Sequence, residues 1–95
     1  MVWYLRVEWF HDFGEEPVDI YSEVGEDGYE LRKVEVFRDG RLQYTDGLRE
    51  AGGTMLSESP VGTVAEIAAQ GGFQPHEISE QEFEETWARA VAAAE

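Results

Sequence analysis

Near the start of the chain, Trp3, Leu5, Val7 and Trp9 alternate with Tyr4, Arg6, Glu8 and Phe10. Successive side chains of a β-strand point to opposite faces of its sheet, so this stretch predicts a strand with one apolar face and one mixed face of aromatic and charged groups. The mixed face suits neither a core nor an ordinary solvated surface. The rest of the fold has to account for it.

More strands follow. Gly14 and Pro17 break the pattern, after which Val18, Ile20, Ser22 and Val24 alternate with Asp19, Tyr21 and Glu23. Residues 25–28 read as a turn. Two β-rich runs flank Asp39-Gly40, and a two-residue Asp-Gly turn favours a type I′ hairpin. With that turn Arg38 faces Arg41, Phe37 faces Leu42, Glu35 faces Tyr44 and Lys33 faces Asp46. Leu31, Phe37, Leu42 and Tyr44 then share the more apolar face, and Arg32, Val34, Val36, Arg38, Arg41, Gln43 and Thr45 share the other. Residues 48–60 read as a glycine-containing connection with a short edge strand at Thr54–Leu56.

The period then changes from two to that of a helix. Thr63 and Glu66 have capping-box spacing, Val64, Ile67 and Ala68 lie on one face, and Gly71-Gly72 stops the segment. Ser79 and Glu82 form a second box, with Ile78 and Phe83 at the positions of a hydrophobic staple. Phe83, Trp87, Ala90, Val91 and Ala94 make one stripe at helical spacing. Glu80, Glu82, Glu84 and Glu85 crowd the first turns, where the helix dipole favours negative charge.

Strands first and helices last predict an α+β fold, a single domain over residues 1–95. The expected architecture is an antiparallel sheet of about four strands in the N-terminal half, with two C-terminal helices packed on one face. Its core would collect Trp3, Leu5, Val7, Trp9, Val18, Ile20, Leu31, Phe37, Leu42, Ile67, Phe83, Trp87 and Val91. The uncovered face would present Tyr4, Arg6, Phe10, Tyr21, Arg32, Val34, Val36, Arg38 and Arg41, bordered by Glu8 and Glu23. Grouped aromatic and arginine residues are an interface composition. Cross-strand Arg–Glu pairs that only support the sheet are the plain structural reading of the same residues.

Charge narrows the partners. The formal net charge is −14 over 95 residues. Residues 1–31 carry nine acids and one base, residues 32–49 five bases and three acids, and residues 50–95 nine acids and one base. Such a field repels nucleic acid and favours a basic partner, although acidity also serves solubility. There is no cysteine, hence no disulfide framework and no zinc–thiolate site. No apolar run reaches the ~20 residues of a membrane span, and the N-terminus lacks a secretory pattern, so a soluble cytoplasmic protein is expected.

Few residues suggest chemistry. His11 beside Asp12 could serve as an oriented general base, against the plain reading of a turn residue. Asp12, Glu15, Glu16, Glu26 and Asp27 could gather at one sheet end and attract a divalent cation, but they lack the spacing of a calcium loop. His11 and His76 have no metal-ligand spacing. "AGGT" (51–54) precedes no Gly-Lys-Ser/Thr, so its glycines read as serving a tight turn or close packing. Catalytic residues, metal and cofactors are expected to be none. The expected function is a non-enzymatic protein–protein interaction module using the open sheet face, with a protein partner or a second copy as a homodimer. An immunity-type inhibitor of a basic toxin or nucleic-acid-binding protein is the alternative, and a small enzyme with His11 as base the weakest one.

"WFHDF", "EPVDIYSE", "YELRKVEVFRDGR", "GGTML" and the set Phe73, Pro75, Glu77–Ser79, Glu82–Glu84 and Trp87 together resemble a small bacterial family known as domain of unknown function 6881. The resemblance covers nearly the whole chain, and "RKVEVFRDGR" is its most specific part. It implies a stand-alone bacterial single-domain protein and carries no activity, substrate or catalytic residue.

Overall fold

The computed structural model describes residues 1–94. The alternating segments form β1 (Trp3–Trp9), β2 (Asp19–Val24), β3 (Glu30–Val36), β4 (Leu42–Thr45) and β5 (Glu50–Ala51). Helix α1 (Val64–Ala68), strand β6 (Phe73–Ile78) and helix α2 (Glu80–Ala94) follow. The strands make one antiparallel sheet in the order β5-β4-β3-β2-β1-β6. The α+β class and the antiparallel sheet are as expected, but six strands replace about four.

β6, where no strand was expected, contains Pro75, which lacks the amide proton of a ladder residue. It lies on the sheet edge, opposite Val7 of β1, where a proline is tolerated. β5 forms at Glu50–Ala51 rather than Thr54–Leu56.

The β3–β4 hairpin differs from the two-residue turn by one position. The Phe37 amide donates to the Arg41 carbonyl at 2.9 Å, the Gly40 amide to the Phe37 carbonyl at 2.9 Å, and Gly40 has φ 90°. This is a three-residue loop ending in a left-handed glycine bulge. Val36 therefore faces Leu42, Glu35 faces Gln43, Val34 faces Tyr44 and Lys33 faces Thr45. A one-residue shift turns a strand over, so Val34, Val36, Leu42 and Tyr44 share one face.

The two helices pack on opposite faces of the sheet, not on one. β6 is the reason: its six residues begin with Phe73 on the Trp9 side and end with Ile78 on the Tyr4 side. The chain thus enters the strand from one layer and leaves it into the other. Ile67 of α1 closes a core with Leu5, Val7 and Val24, flanked by Trp3, Val61, Val64 and Phe73. Ala90 of α2 closes a second core with Val34 and Tyr44, flanked by Tyr21, Val36, Leu42, Trp87 and Val91. The single expected core is split, and Leu31 lies on the surface. The Thr63–Glu66 capping box is present in both directions, and Ser79 Oγ accepts the Glu82 amide.

On the α1 side, β3 and β4 are covered by the connection after β5 through polar groups. Glu30 accepts from Ser22 Oγ (2.8 Å) and the Ser57 amide (2.7 Å) and pairs with Lys33 Nζ (3.1 Å). Lys33 also donates to the Met55 carbonyl, and the Thr54 hydroxyl donates to Glu35. No buried side-chain nitrogen or oxygen among the described residues lacks a partner. Gly52, at φ 89°, lets the backbone pass against Gln43, whose Cδ a Cβ would strike; Gly53 has open space around it. Gly52→Ala should therefore lower stability by about 1–3 kcal/mol and Gly53→Ala by less than about 0.5, compared by urea unfolding.

Candidate functional site

Helix α2 covers part of the face expected to be open. Val34 is 0% exposed, and the Tyr4 ring lies 5.4 Å from that of Phe83. Tyr21 and Val36 flank the same core. The sequence missed this because a stripe of Phe83, Trp87, Ala90 and Val91 fits either side of the sheet equally well.

Arg32 makes the mixed face compatible with a helix. Its guanidinium carbon stands 4.8 Å from the Phe83 ring centroid and 5.0 Å from that of Trp87. Nε and Nη2 donate to the two Glu23 oxygens at 2.8 Å each, and Nη1 and Nη2 to Glu84 at 3.0 and 2.6 Å. Those bonds hold the Glu23 carboxyl below its ordinary range and raise the Arg32 pKa. The Tyr4 hydroxyl donates to Glu23 at 3.1 Å; burial and the Glu23 carboxylate push it up to about 12.

Phe10, Arg38 and part of the Arg6 side chain remain accessible. Arg6 Nε bonds Asp19 at 2.9 Å, with Glu8 at 3.9 Å, and Glu8 in turn meets His76 Nε2 at 2.7 Å. Arg41 leaves the expected group, because the glycine bulge turns it over the Phe37 ring (4.5 Å) and toward the Glu35–Thr54 side.

The accessible residues lead to the end of β1, where Trp9, Phe10, His11 and Phe13 cluster. His11 Nε2 lies 2.7 Å from the Pro17 carbonyl, and Nδ1 accepts the Phe13 amide at 2.9 Å. A carbonyl can only accept and an amide only donate, so this pattern holds the Nε2–H tautomer and engages both ring nitrogens. Arg38 Nη2 donates to the His11 carbonyl at 2.6 Å, and the Phe10 amide to the Gly72 carbonyl at 2.8 Å. The His11 ring lies between Trp9 (4.2 Å, tilted by 56°) and Phe13 (5.4 Å, stacked), and Trp9 stacks on Phe73 (5.7 Å). Phe10 and Phe13 are still 59% and 63% exposed.

One cleft at this end, about 600 Å³, is lined by Trp9, Phe13, Gly14, Glu15 and Glu16. Another runs past Glu8, Phe10, His11, Asp12, Asp19 and Arg38. The acids do not gather as expected: Glu26 pairs with the amino terminus at the start of β1, while Asp12, Glu15 and Glu16 follow its end. Among the described residues no three His, Asp or Glu side chains are placed to hold a metal ion, and no helix is long and apolar enough to cross a membrane.

Arg32→Met leaves Glu23, 14% exposed, without its partner, whereas Glu84 at 44% can return to water. The expected loss is about 2–4 kcal/mol at pH 7. Glu23 has a lowered pKa, so its contribution is full above the ordinary value of 4.5 and fades as pH falls through the lower folded value. The difference between wild type and Arg32→Met should therefore shrink as unfolding is measured from pH 6 down to about 3.

Comparison with curated proteins and with solved structures gives no match. The family model described as "Domain of unknown function (DUF6881)" matches residues 3–92, from the first residue of β1 into the last turn of α2. The chain, with its six-stranded sheet between two helices, belongs to this family.

Proposed function

We propose that this protein is a non-enzymatic interaction module that binds a basic protein through the aromatic end of its sheet. The observation carrying this reading is the pair Phe10 and Phe13, both more than half exposed on a segment tied down by His11 and Arg38. An anchor already held in place loses little conformational entropy on binding, and exposed aromatic groups beside an arginine are typical energetic centres of interfaces. Asp12, Glu15 and Glu16 surround the rings in sequence, and a net charge of −14 steers a basic partner toward them. A two-fold dimer through this end would bring like charges together, which favours a different protein over a second copy. The same acids disfavour nucleic acid. An inhibitor of a basic toxin or nucleic-acid-binding protein is one form such a module takes. The engagement of both His11 nitrogens supports a positioning role for that ring rather than catalysis.

The test compares immobilised wild type with the Phe10→Ala/Phe13→Ala and Asp12→Asn/Glu15→Gln/Glu16→Gln variants in lysate of the source organism, at low and high salt. A basic protein should be retained by wild type and bound at least tenfold more weakly by either variant, about 1.4 kcal/mol. Its retention should also fall as salt rises. Equal retention by all three proteins would refute the surface. A concentration-dependent dimer in light scattering that Phe10→Ala/Phe13→Ala abolishes would replace the partner with a second copy.

A further inference from the structure

The cleft lined by Trp9, Phe13, Glu15 and Glu16 at the end of β1 repeats the residue set of a site the chain already fills. Around Arg32 stand one phenylalanine, one tryptophan and two glutamates: Phe83, Trp87, Glu23 and Glu84. The cleft is lined by Phe13, Trp9, Glu15 and Glu16, again one phenylalanine, one tryptophan and two glutamates. No cationic group among the described residues pairs with Glu15 or Glu16. Phe13 keeps 63% of its surface exposed, so its ring is available to a ligand.

We propose that this cleft receives an arginine side chain of the basic partner, which rests on the function proposed above. A guanidinium is planar and weakly hydrated, stacks on aromatic rings and directs up to five donors at carboxylates. An ammonium is a compact, strongly hydrated point charge that gains less from the ring surfaces. The exposed Phe13 ring therefore supplies cation–π attraction, with Trp9 at the cleft wall beside it, and the glutamates charge-assisted hydrogen bonds. The cleft is open at the protein surface, so the arginine can be delivered by an extended segment of the partner.

The probe is a blocked Gly-Gly-Arg-Gly-Gly peptide, with lysine and citrulline counterparts, titrated into the ¹⁵N-labelled protein. The readout is the Trp9 indole N–H resonance, assigned with Trp9→Phe. The arginine peptide should shift it saturably, the lysine peptide more weakly, and the uncharged citrulline peptide not at all. Phe13→Ala and Glu15→Gln/Glu16→Gln should each weaken binding about tenfold. Glu58→Gln, exposed in the connection between β5 and α1, should leave it unchanged. Phe13 is exposed, and near-ultraviolet circular dichroism verifies that its variant is folded. No saturable Trp9 shift, equal binding of lysine and arginine peptides, or equal binding by Glu15→Gln/Glu16→Gln would overturn the assignment. If the peptide fails while Phe10→Ala/Phe13→Ala still loses the lysate partner, the arginine assignment falls and the interaction surface stands. If that variant keeps the partner, the surface falls as well.

Discussion

The seat of Arg32 between the sheet and α2 is the interaction on which the rest of the molecule depends. A guanidinium under a helix carries a desolvation cost that only several partners together can offset. Phe83 and Trp87 supply ring surfaces, and Glu23 and Glu84 supply charge. With those contacts made, α2 can lie on a face that includes Tyr4, Tyr21 and Arg32, and Val34 disappears beneath it. Without them the mixed face would stay in water and α2 would have to seek the apolar side.

That side is already occupied. Ile67 and Val64 of α1 meet Leu5, Val7 and Val24 over the β1–β2 half of the sheet. Over β3 and β4 the cover is polar, with Glu30 accepting from a serine hydroxyl, a backbone amide and a lysine. A satisfied buried polar network of this kind fixes one arrangement, because a shift would leave several groups without partners at once. It holds the segment after β5 in place although that segment has little regular structure.

With both faces largely covered, accessible apolar surface concentrates at the ends and turns. The end of β1 differs from other exposed sites such as Leu48 in grouping several aromatic rings. His11 crosses to Pro17 and back to Phe13, Arg38 reaches in from the β3–β4 loop, and the His11 ring sits against Trp9 and stacks on Phe13. This cluster within a strongly acidic surface is what supports the proposed contact with a basic, partly apolar partner.

Alternation in residues 3–9 and 19–24, the Thr63–Glu66 capping box, the Ser79 cap, and the helical stripe from Phe83 to Val91 were legible in the sequence because each depends on neighbours a few positions away. These local patterns determined the class of the fold and most of its elements. Three things were decided by tertiary structure. β6 exists because the edge of β1 offers its residues a partner despite Pro75. The β3–β4 register follows from the Gly40 bulge, which one residue of difference in loop length would reverse. The side chosen by α2 follows from the parity of β6 and the seat of Arg32. The sequence alone shows that a mixed face of tyrosines and arginines exists. Only packing shows that α2 covers its middle and that Phe10, His11 and Arg38 meet at its end, because which surfaces are left for a partner depends on contacts between residues far apart in the chain.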